Sequence, residues 1–199
     1  MKTPLLITLL IGLLVISACA PAPTATPTAI PTEIPTEIPA TETPEPTATA
    51  SAPFVLSSPA FEHEGAIPEK HSCNGDNTSP ILEWSEPPAG TQAFALIMDD
   101  LDVSFVHWII FNIPAESRGL PEGVPAGVNL DDGSQQGIGG TGPSYFGPCP
   151  PTLHRYSFKL YALDAPVDSR QGSVKDTLLA AMEGHILAES ELVGTYEPK

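Results

Sequence analysis

An antiparallel β-sandwich carrying one late helix is the fold class this sequence predicts, and three observations predict it. The apolar segments between residues 54 and 196 are short and bounded by Gly and Pro clusters. Two of them, residues 93–98 (AFALIM) and 106–113 (VHWIIFNI), are near-continuous apolar runs of strand length, as strands buried on both faces would be. Only one stretch, near residues 173–184, repeats its apolar residues at helical spacing. Many strands, frequent punctuation and a single helix read as a mainly β domain with helical decoration.

The elements follow in order. Residues 54–61 read as a first strand, and Pro59 within it marks an edge, because proline cannot donate to a ladder. Residues 63–77 are polar and read as a loop. Residues 81–84 form a short strand, closed by the turn signal Pro87-Pro88-Ala89-Gly90. After the two central strands, residues 114–142 are Gly-rich without periodicity and read as a long, functional-looking loop. Residues 155–163 (RYSFKLYAL) alternate as a half-buried strand does. Ser173 is the expected N-cap of the helix, with Asp176 completing a capping-box-like pair. Val174, Leu178, Ala181 and Met182 supply its apolar face, and Gly184 its stop. A last strand spans residues 186–196.

Residues 54–199 are thus one domain, long enough to bury a core without staples. The chain of 199 residues has a formal net charge of −16 and only eight Lys and Arg. That balance argues against nucleic acid as a partner, since phosphate backbones require basic surface.

The N-terminus reads as a leader. Lys2 precedes a twelve-residue apolar run at residues 5–16, the length of a signal core and short of a membrane span. It ends in Ile16-Ser17-Ala18-Cys19, which resembles a bacterial lipobox. Residues 1–19 are therefore expected to be a lipoprotein signal peptide, with Cys19 the lipidated residue and acyl chains as the membrane anchor. An ordinary cleaved signal with a chance cysteine is the alternative. Residues 20–53 are Pro/Thr-rich, with PTEI twice in tandem. Proline at this density blocks helix and sheet, and little is present to bury, so a disordered tether is expected. At ~3.1 Å per residue it would reach up to about 100 Å.

The functional signal lies at the end of the first central strand. There Asp99, Asp100 and Asp102 stand at the rim of an apolar strand, with His107 opening the next one. Charge so placed must be solvated or paired. A second group, Tyr145 to Tyr156 (YFGPCPPTLHRY), supplies His154 and Tyr156. Each has a plain reading: the aspartates as a solvated turn, His107 as a satisfied core histidine, His154-Arg155 as a surface pair. His63, His71 and His185 lack such context and are expected at the surface.

Five blocks in order carry a resemblance. They are Asn77-Thr78-Ser79-Pro80 with Trp84; Asp99-Asp100-Leu101-Asp102; His107-Trp108 with Asn112-Ile113-Pro114; Gly147-Pro148-Cys149-Pro150-Pro151; and His154-Arg155-Tyr156 with Leu160-Tyr161-Ala162-Leu163-Asp164. The domain resembles the phosphatidylethanolamine-binding protein family, in its bacterial Raf-kinase-inhibitor-like branch. The resemblance implies an antiparallel β-sandwich with a C-terminal helix and a small anion-accepting pocket. It assigns to that pocket Asp100, Asp102, His107, Gly147, Pro148, His154 and Tyr156, with Phe105 as an apolar wall. On this expectation both aspartates stand behind the histidines and orient them, Tyr156 offers its hydroxyl, and backbone N–H groups near Gly147 complete the cradle. Leu101 and Ser104 stand where the family has prolines, which predicts a softer rim.

The resemblance also places Cys73 and Cys149 near the pocket. An oxidising compartment and an even count favour a bridge between them, with two reduced thiols as the alternative. Two Asp and two His also look like metal ligands, but the family pocket takes anions, so neither metal nor cofactor is expected. The expected partners are a phosphate-like or carboxylate head group or acidic peptide, the membrane through the anchor, and a protein target if the module acts as a protease inhibitor. No G-x-S-x-G, HExxH or P-loop is present, so binding ranks above catalysis. An acid–base enzyme using the His/Asp/Tyr set and a tethered surface-interaction module are the alternatives.

Overall fold

The computed structural model describes residues 52–168, 170 and 172–199. The expected signal peptide, Cys19 and nearly all of the tether lie outside the described residues. Nine strands form two sheets. The larger has the order β2-β9-β8-β4-β5-β7 and the smaller β1-β3-β6. Their ranges are β1 Leu56–Ser57, β2 Gly65–Ala66, β3 Leu82–Trp84, β4 Ala93–Asp100, β5 Phe105–Pro114, β6 Gly119–Leu120, β7 Gln135–Gln136, β8 His154–Leu163 and β9 Ile186–Tyr196; the one α-helix among the described residues, α1, is Lys175–Met182. All pairings are antiparallel except β2 with β9.

The large sheet is buried on both faces, which explains the unbroken apolar runs of β4 and β5. Phe94, Leu96 and Met98 of β4 face the small sheet and pack with Leu82, Trp84, Leu120, Trp108 and Phe158. The alternate residues Ala95 and Ile97 face the other way, onto Leu178 and Met182 of α1. Burying one such side chain contributes roughly 1.5–3 kcal/mol, so the core is fixed by many modest terms.

Several local expectations are corrected. The first strand is two residues long rather than eight, and it lies at the edge of its sheet as Pro59 suggested. The long loop contains β6 and β7. Ser173 does not cap α1: its Oγ donates to the Arg170 carbonyl, so Val174 takes the N-cap position without a side-chain cap. Val174 is consequently exposed, while Leu178 and Met182 are buried. His71 is buried, its Nδ1–H donating to the Thr78 carbonyl at 2.8 Å. The chain enters the domain beside the start of β4, where Phe54 stacks on Phe94.

Candidate functional site

The period of the strand sorts the carboxylates. Asp100 has the parity of Phe94, Leu96 and Met98, and it pairs with Tyr156 on β8 and Phe105 on β5. Asp99 has the opposite parity and meets Lys175 of α1 at 2.7 Å. His154 and Tyr156 are two residues apart on β8 and so share a face.

His107 reaches this face through a bulge. Met98 pairs with Trp108 and Asp99 with Val106, which leaves His107 as the extra residue of β5. A bulge of this kind re-aims a side chain and reverses the alternation beyond it. Val106 thereby packs toward the helix layer and Phe105 faces Asp100.

These side chains converge on a cavity of about 360 Å³. Asp100, Phe105, His107, His154 and Tyr156 line it, together with Val103, Phe146, Cys149, Pro150 and Pro151. A larger cavity of about 570 Å³ adjoins it and shares Asp100 and Phe105, but it opens toward α1 and contains neither histidine. The chemistry lies in the smaller one.

Asp100 organises the site. Its Oδ2 accepts the Nδ1–H of His154 at 2.7 Å, and its Oδ1 accepts the N–H groups of Asp102 and Val103 at 2.8 and 3.1 Å. The second pair of bonds fixes the turn that carries Leu101 and Ser104 in place of prolines. His107 is 4% exposed, and its Nδ1–H donates to the Phe146 carbonyl at 2.7 Å. Its ring stands edge-on to Phe105 and Tyr156 and stacks on Phe146. Burial lowers its pKa below the ordinary histidine value, against the pull of the Phe146 carbonyl and the Asp100 and Asp99 charges. Among the described residues the buried Tyr156 hydroxyl makes no hydrogen bond of ordinary geometry, and it lies beside the Asp100 carboxylate and the Cys149 backbone. Burial first, and then the Asp100 charge, push its pKa well above the ordinary phenol value.

Three residues assigned to the pocket do not line it. Asp102 turns away to Arg155, whose side chain lies on the opposite face of β8; its Oδ1 is 3.0 Å from Nη2. It stands behind neither histidine. Gly147 and Pro148 lie beneath the wall. The Gly147 N–H is spent on Asn77 Oδ1 at 2.7 Å, and so is not offered to a ligand. Glycine is needed there because a Cβ would sit 2.2 Å from the His71 carbonyl oxygen. Asn77 holds this bond from a left-handed conformation, φ 54°. The Tyr145 hydroxyl also donates to the His71 carbonyl, at 2.6 Å, and Cys73 N–H to that of Pro148, at 3.0 Å. Cys73 and Cys149 are joined in a disulfide with Cα atoms 5.3 Å apart. The wall residues Val103, Phe146, Pro150 and Pro151 were missed from sequence, although Phe146, Pro150 and Pro151 sit within the YFGPCPP run already singled out. His63 accepts the Val193 N–H, and His185 pairs with Asp164; both stand apart from the cavity.

The buried, uncharged state of His107 makes stability pH-dependent. In the unfolded chain its pKa returns to about 6.5. Below that pH the unfolded state binds the extra proton, so stability present above about pH 6.5 is lost as pH falls, by up to about 1.4 kcal/mol per unit from this group. The thermal midpoint between pH 7.5 and 5 is expected to fall more steeply in the natural protein than in His107→Gln; equal slopes would contradict the assignment.

Residues 57–197 match the family model for phosphatidylethanolamine-binding protein. A UPF0098 protein of Methanothermobacter thermautotrophicus is 47% identical over 146 residues, covering 71% of this chain and 97% of that protein. The crystal structure of CT736 from Chlamydia trachomatis, described as a phosphatidylethanolamine-binding protein homologue, superposes with a TM-score of 0.68 at 37% identity, covering 75% of this chain and all of that one. A Mycobacterium tuberculosis protein designated as a proposed lipoprotein, LppC, is 36% identical over 159 residues, 75% of each chain.

Proposed function

Because this chain belongs to the phosphatidylethanolamine-binding protein family, we propose that it is an extracytoplasmic, lipid-anchored binding module whose cavity holds a small anionic group. The observation that carries this reading is the convergence on one cavity of two histidines and the buried Tyr156 hydroxyl, which makes no hydrogen bond of ordinary geometry among the described residues. An unpaired buried hydroxyl costs about 1–3 kcal/mol. A phosphate or carboxylate oxygen would accept from it and recover that cost. The anchor is supported by the lipobox-like residues 16–19 and by similarity to a protein designated as a lipoprotein. An inhibitor's role toward an extracytoplasmic protease fits a module of this kind.

Titration of the protein with phosphate, phosphoethanolamine and an acidic peptide, followed by NMR, tests the reading. Tyr156→Phe is expected to weaken binding about tenfold while leaving the thermal midpoint unchanged or slightly raised, since one unpaired polar group is removed. The reading is sunk if none of the three probes binds, or if binding survives loss of both His107 and His154.

A further inference from the structure

Both imidazoles of the cavity are wired the same way. The Nδ1 of His107 faces a carbonyl and that of His154 a carboxylate, each at 2.7 Å. Such oxygens only accept, so each Nδ1 carries its hydrogen. On a neutral ring the remaining nitrogen, Nε2, is then an acceptor, and it becomes a donor only when the ring is protonated. The hydrogen bond of the His107 ring is made by Nδ1; Nε2 has no partner of ordinary geometry among the described residues, and the ring lines the cavity.

An anion meets a hostile arrangement here. No Lys or Arg lines the cavity among the described residues. The nearby guanidinium of Arg155 points the other way, onto Asp102. The groups facing the His107 ring are Asp100 from β4, Phe105 from its own strand, Tyr156 from β8, and Phe146 and the backbone of Gly147 from the loop, while Asp99, on the other face of β4 and paired with Lys175, acts on it only through its charge. His154 completes the lining from β8 and is bonded to Asp100. Among the described residues, the one permanently charged group lining the cavity is therefore the Asp100 carboxylate. At His107 an incoming anion would find a lone pair where it needs a second donor beside the Tyr156 hydroxyl, and no Lys or Arg lines the cavity among the described residues to offset its charge.

We propose that the cavity takes its anion together with one proton, which lodges on Nε2 of His107 and converts that atom from acceptor to donor. This rests on the anion-binding reading above and deepens it. One N–H bond forms, the proton comes from solvent, and no bond of the anion is broken. The imidazolium then balances the anion's charge within the buried site. The empty ring is kept neutral by its burial, so the proton arrives with the ligand rather than before it. Binding is favoured at mildly acidic pH, and affinity falls about tenfold for each pH unit between the pKa of the ring in the empty site and its higher pKa in the complex.

The test is calorimetric titration of the full chain with acetate and with methanesulfonate, between pH 6 and 8.5, in buffers of differing ionisation enthalpy. Both probes are fully ionised there, so any proton taken up goes to the protein. Close to one proton per bound anion is expected near pH 7, between the pKa of the empty ring and that of the complex, with uptake declining as pH rises past the latter. In parallel, ¹⁵N NMR of the unsubstituted protein is expected to show the His107 Nε2 signal move to the imidazolium position when acetate is added. Binding without proton uptake, or uptake with the signal change confined to His154, overturns the proposal and leaves the anion-binding reading intact. Failure of both probes and of phosphate to bind overturns that reading and the proposal with it.

Discussion

Asp100→Ala is expected to cost about 3 kcal/mol of folding stability and to abolish anion binding in the same step. The carboxylate is 4% exposed in its side chain and is bonded to His154, and removing one partner of a buried pair is costly because the other is stranded. Two further donors, the Asp102 and Val103 N–H groups, lose their acceptor. Those two residues are exposed, so water replaces much of that loss, which keeps the figure at the low end of the range for buried pairs. Binding goes because the turn carrying Val103 and the orientation of His154 depend on the same two oxygens. Asp100→Asn keeps the shape but must turn an N–H toward one of the donors, so it should fall between the natural protein and alanine. Urea midpoints and acetate titrations of the three proteins decide the matter. Stability within 1 kcal/mol of the natural value in Asp100→Ala would mean that the carboxylate is ornamental.

The second large effect is expected from the disulfide. Cys73→Ser with Cys149→Ser is expected to lower stability by about 4 kcal/mol, because the bridge closes a loop of 76 residues and restricts the unfolded chain. Its action on the folded state is smaller. The Tyr145 bond to His71, the Gly147 bond to Asn77 and the Cys73 bond to Pro148 already hold the wall segment against the 71–77 loop. The serine variant should therefore bind anions almost normally well below its melting range while unfolding at much lower urea. A variant that keeps its stability and loses its binding would reverse this division, and would make the bridge a part of the pocket.

What was legible from sequence is what depends on local pattern. The runs of β4 and β5 announced burial on two faces, and the alternation of residues 155–163 announced most of β8. The misses share a cause, which is competition between partners distant in sequence. Asp102 and Asp100 look alike in the chain, but the odd parity of Arg155 on β8 draws Asp102 out of the cavity. Gly147 looks like a free donor until Asn77, φ 54°, claims its N–H. The bulge at His107 arises only when β5 is paired against β4, so no reading of β5 alone could place the ring. The two-residue strands β1, β2, β6 and β7 are too short to have a period at all. Ser173 satisfied every local rule for a cap and spent its hydroxyl on Arg170 instead.

The placement of Phe54 on Phe94 gives the domain a polarity. Asp100 lies at the other end of β4, six residues along, a separation of about 20 Å at the rise of a strand. The cavity therefore lies at the far end of the strand from the point where the described chain enters the sandwich.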